Sequence, residues 1–175
     1  SEAWTWEHQA LIKARAVSGD EAIIQRFGEI RAAALARRRP GKKLLADVAD
    51  MRGRMRRESD RPEPGWFDLK HSPGGMIDIE FLVQALVLLL AHRHPELVRW
   101  TDNVRLIQAL ISAAVLNEYT AHVLKHAYLI YRAAAHQLSL QEKPARVPEE
   151  KFEPLQQRIR RIWEGIFREP RTRNR

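Results

Sequence analysis

Gly74-Gly75-Met76-Ile77-Asp78-Ile79-Glu80-Phe81 opens the most apolar part of the chain, and Leu82 to Ala91 continues it with Gln84 as its one polar residue. The run from Phe81 to Ala91 is too short to span a bilayer, and two carboxylates introduce it, so it reads as a core helix. The pattern predicts that helix over Met76 to Arg93, with Pro95 ending it. Asp78 and Glu80 lie near its start, where the helix dipole favours negative charge.

Upstream, residues 59–75 break every periodic pattern. Ser59, Asp60, Pro62, Pro64, Gly65, Pro73, Gly74 and Gly75 mark an irregular connector, within which Trp66 to Lys70 reads as a short extended piece. Before it, Lys42 to Glu58 is amphipathic, with Leu44, Leu45, Val48, Met51 and Met55 on one face and Arg52, Arg54, Arg56 and Arg57 around the others. Ile23, Ile24, Phe27, Ile30, Ala34 and Leu35 mark an earlier helix, begun by Asp20 and stopped at Arg37-Arg38-Arg39-Pro40-Gly41. Residues 4 to 17 form the first. Downstream, Thr101-Asp102 is an N-cap for Val104 to Val115, a further helix runs from after Asn117 to Leu138, and Pro144 and Pro148 set off a last one over Glu149 to Phe167.

No run alternates with period two and no internal repeat recurs at a fixed interval. The chain therefore reads as all-α: a single bundle of six or seven helices over residues 1–168, followed by a disordered basic tail at 169–175. Its 175 residues and 20.3 kDa suit one ordinary domain, and a hydrophobic fraction of 45% supports a real core. With no cysteine, disulfides and thiolate chemistry are excluded. The opening Ser1-Glu2-Ala3-Trp4 lacks a signal-peptide pattern and reads as an internal boundary of a longer, cytoplasmic protein. Net charge of +8 and pI near 10.3 raise anionic partners without choosing among them.

Chemistry concentrates in Asp68 to Phe81. Asp78 and Glu80 are two residues apart, hence about 200° apart around a helix, so they do not form an adjacent metal pair. One of them is expected to pair with an arginine of the Lys42–Glu58 helix. Gly74-Gly75 admits a phosphate to backbone amides, but the Gly-Lys-Ser or Gly-Lys-Thr ending of a P-loop is missing, so the phosphate signal is weak. His122 and His126 have the four-residue spacing of a shared metal, yet no Glu follows His122, and ordinary packing histidines are the expectation. Trp4, Trp6, Trp66, Trp100 and Trp163 are expected to bury large areas. Arg37 to Arg39 and the arginines from Arg158 onward read as solvated surface.

Five ordered segments carry a resemblance: Trp4-Thr5-Trp6-Glu7-His8-Gln9-Ala10-Leu11, Met51-Arg52-Gly53-Arg54-Met55-Arg56, Phe67-Asp68-Leu69-Lys70, Gly74 to Phe81, and Arg99-Trp100-Thr101-Asp102-Asn103-Val104-Arg105. Together they resemble the C-terminal part of the bifunctional glutamine synthetase adenylyltransferases, and the likeness runs on through Leu138-Ser139-Leu140-Gln141. The related uridylyltransferase of PII has a helical region similar in kind, but the first and last of these segments favour the adenylyltransferase.

The resemblance implies a helical domain that directly follows a nucleotidyltransferase head in the adenylylating unit. The parent would attach AMP from ATP, with Mg2+, to a tyrosine of glutamine synthetase under control of PII signal protein and glutamine. The head's Gly-Ser and Asp-x-Asp signature is absent here, so the chain alone is expected to hold no catalytic residue and no metal. Lys70, Arg52, Arg56, Asp78, Glu80, Asp102 and Asn103 are the candidates for a face toward the head or its nucleotide; the competing account is that they only tie helices together. A basic module binding nucleic acid or protein is the alternative function, although no recognition-helix motif supports nucleic acid. A free-standing enzyme lacks an assembled nucleophile or metal set.

Overall fold

The computed structural model describes residues 4–59 and 63–167. The proposed tail at 169–175 lies outside them. Among the described residues the fold is all-α, with seven helices: α1 (Thr5–Lys13), α2 (Glu21–Leu35), α3 (Gly41–Glu58), α4 (Met76–Leu90), α5 (Asn103–Ser112), α6 (Glu118–Leu140) and α7 (Glu153–Phe167). Two three-residue strands, β1 (Trp66–Asp68) and β2 (Arg146–Pro148), pair antiparallel with Phe67 opposite Val147. Short 3-10 turns occupy Pro95–Val98 and Glu149–Lys151. The chain divides into two compact units, Ser1–Met51 with Val83–Ala121 and Arg52–Leu82 with His122–Arg175, so α3, α4 and α6 each contribute residues to both.

In the first unit, local chemistry fixes the helix ends. Asp20 caps α2 by accepting from the Ala22 and Ile23 amides at 2.9 and 3.3 Å, and Asp102 caps α5 by accepting from the Arg105 amide at 2.9 Å. At the other end of α2, Arg39 donates to the carbonyls of Ala34, Leu35 and Arg37, each at 2.8 Å, satisfying acceptors that a helix end leaves open. The core gathers Ile12, Leu35, Val48, Val87, Leu88, Leu97, Leu106, Ile107 and Leu110, all fully buried, and each such side chain contributes roughly 1.5–3 kcal/mol. Arg31 is buried beside them, with no carboxylate partner among the described residues. It donates to the carbonyls of Leu11 at 3.0 Å, Ile12 at 2.5 Å and Val98 at 2.5 Å, joining the end of α1 to the Pro95–Val98 turn.

In the second unit, β1 is the predicted extended piece, shorter than expected. Phe67 turns inward and meets Tyr131 of α6 edge-on at 5.4 Å and Phe152 at 6.4 Å, while Tyr131 and Phe152 cross at 5.6 Å. Leu69, Ile79, Leu82, Leu124 and Ile159 complete the core.

Three expectations are corrected. Helix α1 ends at Lys13 rather than residue 17, because Ala14 is extended and its amide closes back on the Leu11 carbonyl. Only Arg31 and Leu35 of α2 are buried, whereas Ile23 and Ile30 are 69% and 56% exposed, so the apolar stripe read for that helix is largely at the surface. No tryptophan is buried: Trp4, Trp6 and Trp66 are exposed and Trp100 and Trp163 half-buried, and the aromatic core is made instead by Phe67, Tyr131 and Phe152. Periodicity alone does not reveal how much of a stripe a neighbour covers.

Candidate functional site

The start of α4 carries the site of the second unit. Asp68 caps the connector by accepting from the amides of Lys70 and His71 at 2.8 and 2.9 Å, and its own amide donates to the Ser72 hydroxyl at 3.0 Å. The resulting loop folds its carbonyls under α4: the amides of Met76 and Ile77 donate to the carbonyls of Leu69 and Lys70 at 2.8 and 3.2 Å. Gly74 takes φ +83°, and a Cβ there would stand 2.6 Å from the Gln156 carbonyl oxygen. Glycine is thus required by both conformation and space.

Asp78, 1% exposed, accepts from three donors: Arg52 Nε at 2.7 Å, Arg56 Nη2 at 2.5 Å and the Gly74 amide at 2.7 Å. The predicted pairing of one carboxylate with α3 is therefore present, through two guanidinium groups one helical turn apart. Arg52 also donates to the His71 carbonyl at 2.8 Å. Burial pulls its guanidinium below the ordinary arginine value, and the charge and hydrogen bond of Asp78 oppose that shift. The amide of Gly74, which a phosphate would use, already donates to Asp78.

Glu80 points elsewhere, accepting from the Tyr128 hydroxyl at 3.1 Å. Lys70 is exposed and lines a groove with Arg132 and His136 of α6, whereas Arg56 lines a cavity of about 410 Å3 with Arg57, His71, Glu149 and Arg160. Asp102 and Asn103 belong to the first unit, Asp102 as the exposed α5 cap and Asn103 as a buried side chain. The structure thus joins Arg52, Arg56 and Asp78 directly and leaves the other candidates in separate surroundings.

Arg160, read only as part of the solvated basic run, donates from Nε to the Pro73 carbonyl at 3.1 Å, and Tyr131, which the sequence did not single out, is fully buried with its hydroxyl held well above the usual tyrosine range, chiefly by burial. Both stand more than 50 positions from Asp78, and neither sits in a motif. Among the described residues, no three His, Cys, Asp or Glu side chains gather as a metal group. His122 and His126 stack with ring centres 5.8 Å apart.

The family model described as GlnD PII-uridylyltransferase matches residues 42–162, which takes in α3, the Asp78 cluster and most of α7. The chain belongs to that family. Residues 1–30 match a second model, described as Glutamate-ammonia ligase adenylyltransferase. Curated relatives agree with that second description. The bifunctional glutamine synthetase adenylyltransferase/adenylyl-removing enzyme of Shewanella loihica is 44% identical over 166 residues, and that of Nitrosococcus oceani 43% identical over 166 residues. Each alignment covers 95% of this chain and 17% of the relative, so this GlnD-family chain spans about one sixth of those proteins. The resemblance drawn from the five segments is borne out.

Proposed function

We propose that the chain is the helical domain of the adenylylating unit of a glutamine synthetase adenylyltransferase, acting in the cytoplasm in nitrogen regulation. Its role is to brace the preceding nucleotidyltransferase head while that head transfers AMP from ATP to a tyrosine of glutamine synthetase. PII signal protein acts on the parent. The observation that carries this reading is the occupancy of Asp78. With both oxygens engaged by Arg52, Arg56 and the Gly74 amide, it is a structural anchor and does not fit a Mg2+ ligand or a general base. On this reading ATP and Mg2+ belong to the head, and the chain alone is inactive. No helix among the described residues is long and apolar enough to cross a membrane.

On this reading Lys70 is the best placed candidate to face the head, being exposed on the loop that starts α4. Adenylylation of glutamine synthetase with ATP and Mg2+ tests the proposal, comparing the chain alone with the chain joined to its head. AMP transfer is expected only from the joined form, and transfer by the chain alone would overturn the division of labour. In the joined form Lys70→Ala is expected to lower turnover with unchanged melting; unchanged turnover removes Lys70 from the candidates.

A further inference from the structure

The first unit contains a cavity of about 670 Å3 between α1, the end of α2 and the start of α3. Thr5, His8, Arg37, Arg38, Arg39 and Lys43 line it. We propose that this groove is a binding site for a small polyanion of the phosphate class, distinct from the Asp78 cluster and independent of the proposed head-bracing role.

Charge is the first argument. Among the described residues, four cations line the groove against two carboxylates, Glu7 and Asp47, and both carboxylates already have partners. Glu7 accepts from the Trp4 amide at 2.6 Å and Asp47 from the Thr5 hydroxyl at 2.8 Å. Among the described residues, no ion pair joins Arg37, Arg38 or Lys43 to an acid. Arg39 donates from Nη1 to the Leu35 and Arg37 carbonyls and from Nη2 to the Ala34 carbonyl, which fixes its charge at the wall, whereas the side chains of Arg37, Arg38 and Lys43 have no hydrogen-bond acceptor among the described residues.

The start of α3 adds to this charge. Its 18 residues begin Gly41-Lys42-Lys43 with no acid in the first turn. The amides there have no partner within the helix, and the dipole makes the position favourable to anions and unfavourable to lysine. Two lysines at that place, beside three consecutive arginines, leave positive charge that an anion would relieve.

The surrounding titrations agree. Burial lowers the His8 imidazole, and the charges of Arg39 and Arg37 lower it further. Arg39 is itself held down by burial and by Arg37. No tryptophan, tyrosine or phenylalanine is among the lining residues, so the groove offers no stacking platform for a base, and the chemistry fits a compact polyphosphate rather than a nucleic-acid strand.

Inorganic tripolyphosphate is the probe, titrated into the full 175-residue chain near 0.15 M salt and followed by the His8 ring resonances. Saturable binding with a rise in the His8 pKa is expected. Arg37→Ala/Arg38→Ala and, separately, Lys43→Ala should each weaken binding about tenfold. Removing two exposed α7 charges with Arg158→Ala/Arg161→Ala should leave it unchanged. Failure to saturate at this salt, equal weakening by the α7 variant, or tighter binding of a polyglutamate peptide than of tripolyphosphate would each overturn the assignment.

Discussion

Arg52 Nε and Asp78 Oδ1 meet at 2.7 Å with side chains 0% and 1% exposed, although 26 positions separate the two residues in sequence. The pair fastens α3 to the first turn of α4, and Arg56 and the Gly74 amide complete the shell of the carboxylate. Its balance is set by desolvation. Two buried charges gain little over an apolar pair, but either one left alone is costly.

The first prediction follows from that asymmetry. Asp78→Leu, which strands Arg52, should cost roughly 3–5 kcal/mol in urea unfolding, whereas the double variant Arg52→Met/Asp78→Leu should cost clearly less than the sum of the two single changes. Additive losses would mean that the pair is not coupled. Arg56→Ala should cost less than Asp78→Leu, since Arg56 is 31% exposed.

Glycine substitution separates position from residue type. Gly74→Ala meets both a φ of +83° and the Gln156 carbonyl at 2.6 Å, and should lower stability by more than about 1 kcal/mol. Gly28→Ala, inside α2 with nothing within 4 Å of the added carbon, should raise it by roughly 0.5–1 kcal/mol. Thermal melts of the two variants provide the comparison, and equal signs would contradict the backbone account of Gly74.

The third prediction concerns pH. Burial and the neighbouring Arg39 hold folded His8 below its ordinary value of 6.5, so the unfolded chain binds the proton more readily. Stability tied to His8 is therefore present above pH 6.5 and declines as pH falls through the lowered folded value. Urea midpoints at stepped pH should show a shallower decline below neutrality in His8→Gln than in the parent chain. An identical slope in both would place the proton uptake elsewhere.

Much of the helical plan was legible. Asp20 and Asp102 act as the caps their spacing indicates, the apolar run after Phe81 is buried, and the pairing of an α4 carboxylate with an α3 arginine was foreseen from charge placement. Less legible was which partner each residue takes. Asp78 and Glu80 are equivalent in a motif, yet one closes on two arginines while the other bonds Tyr128. The Arg37–Arg39 run read as solvated surface, but Arg39 turns back onto α2 and, with Arg37, Arg38 and Lys43, lines a groove.

By itself the amino-acid sequence determined the fold class, the order and rough limits of the helices, and the family, because periodicity, caps and ordered motifs are local and additive along the chain. Only the tertiary structure decided that Asp78 is enclosed, that Arg31 is buried among the carbonyls of Leu11, Ile12 and Val98, and that Trp4, Trp6 and the Ile23–Ile30 face of α2 stay exposed. Those outcomes depend on which surfaces exclude water from one another, and that is fixed by packing between segments distant in sequence.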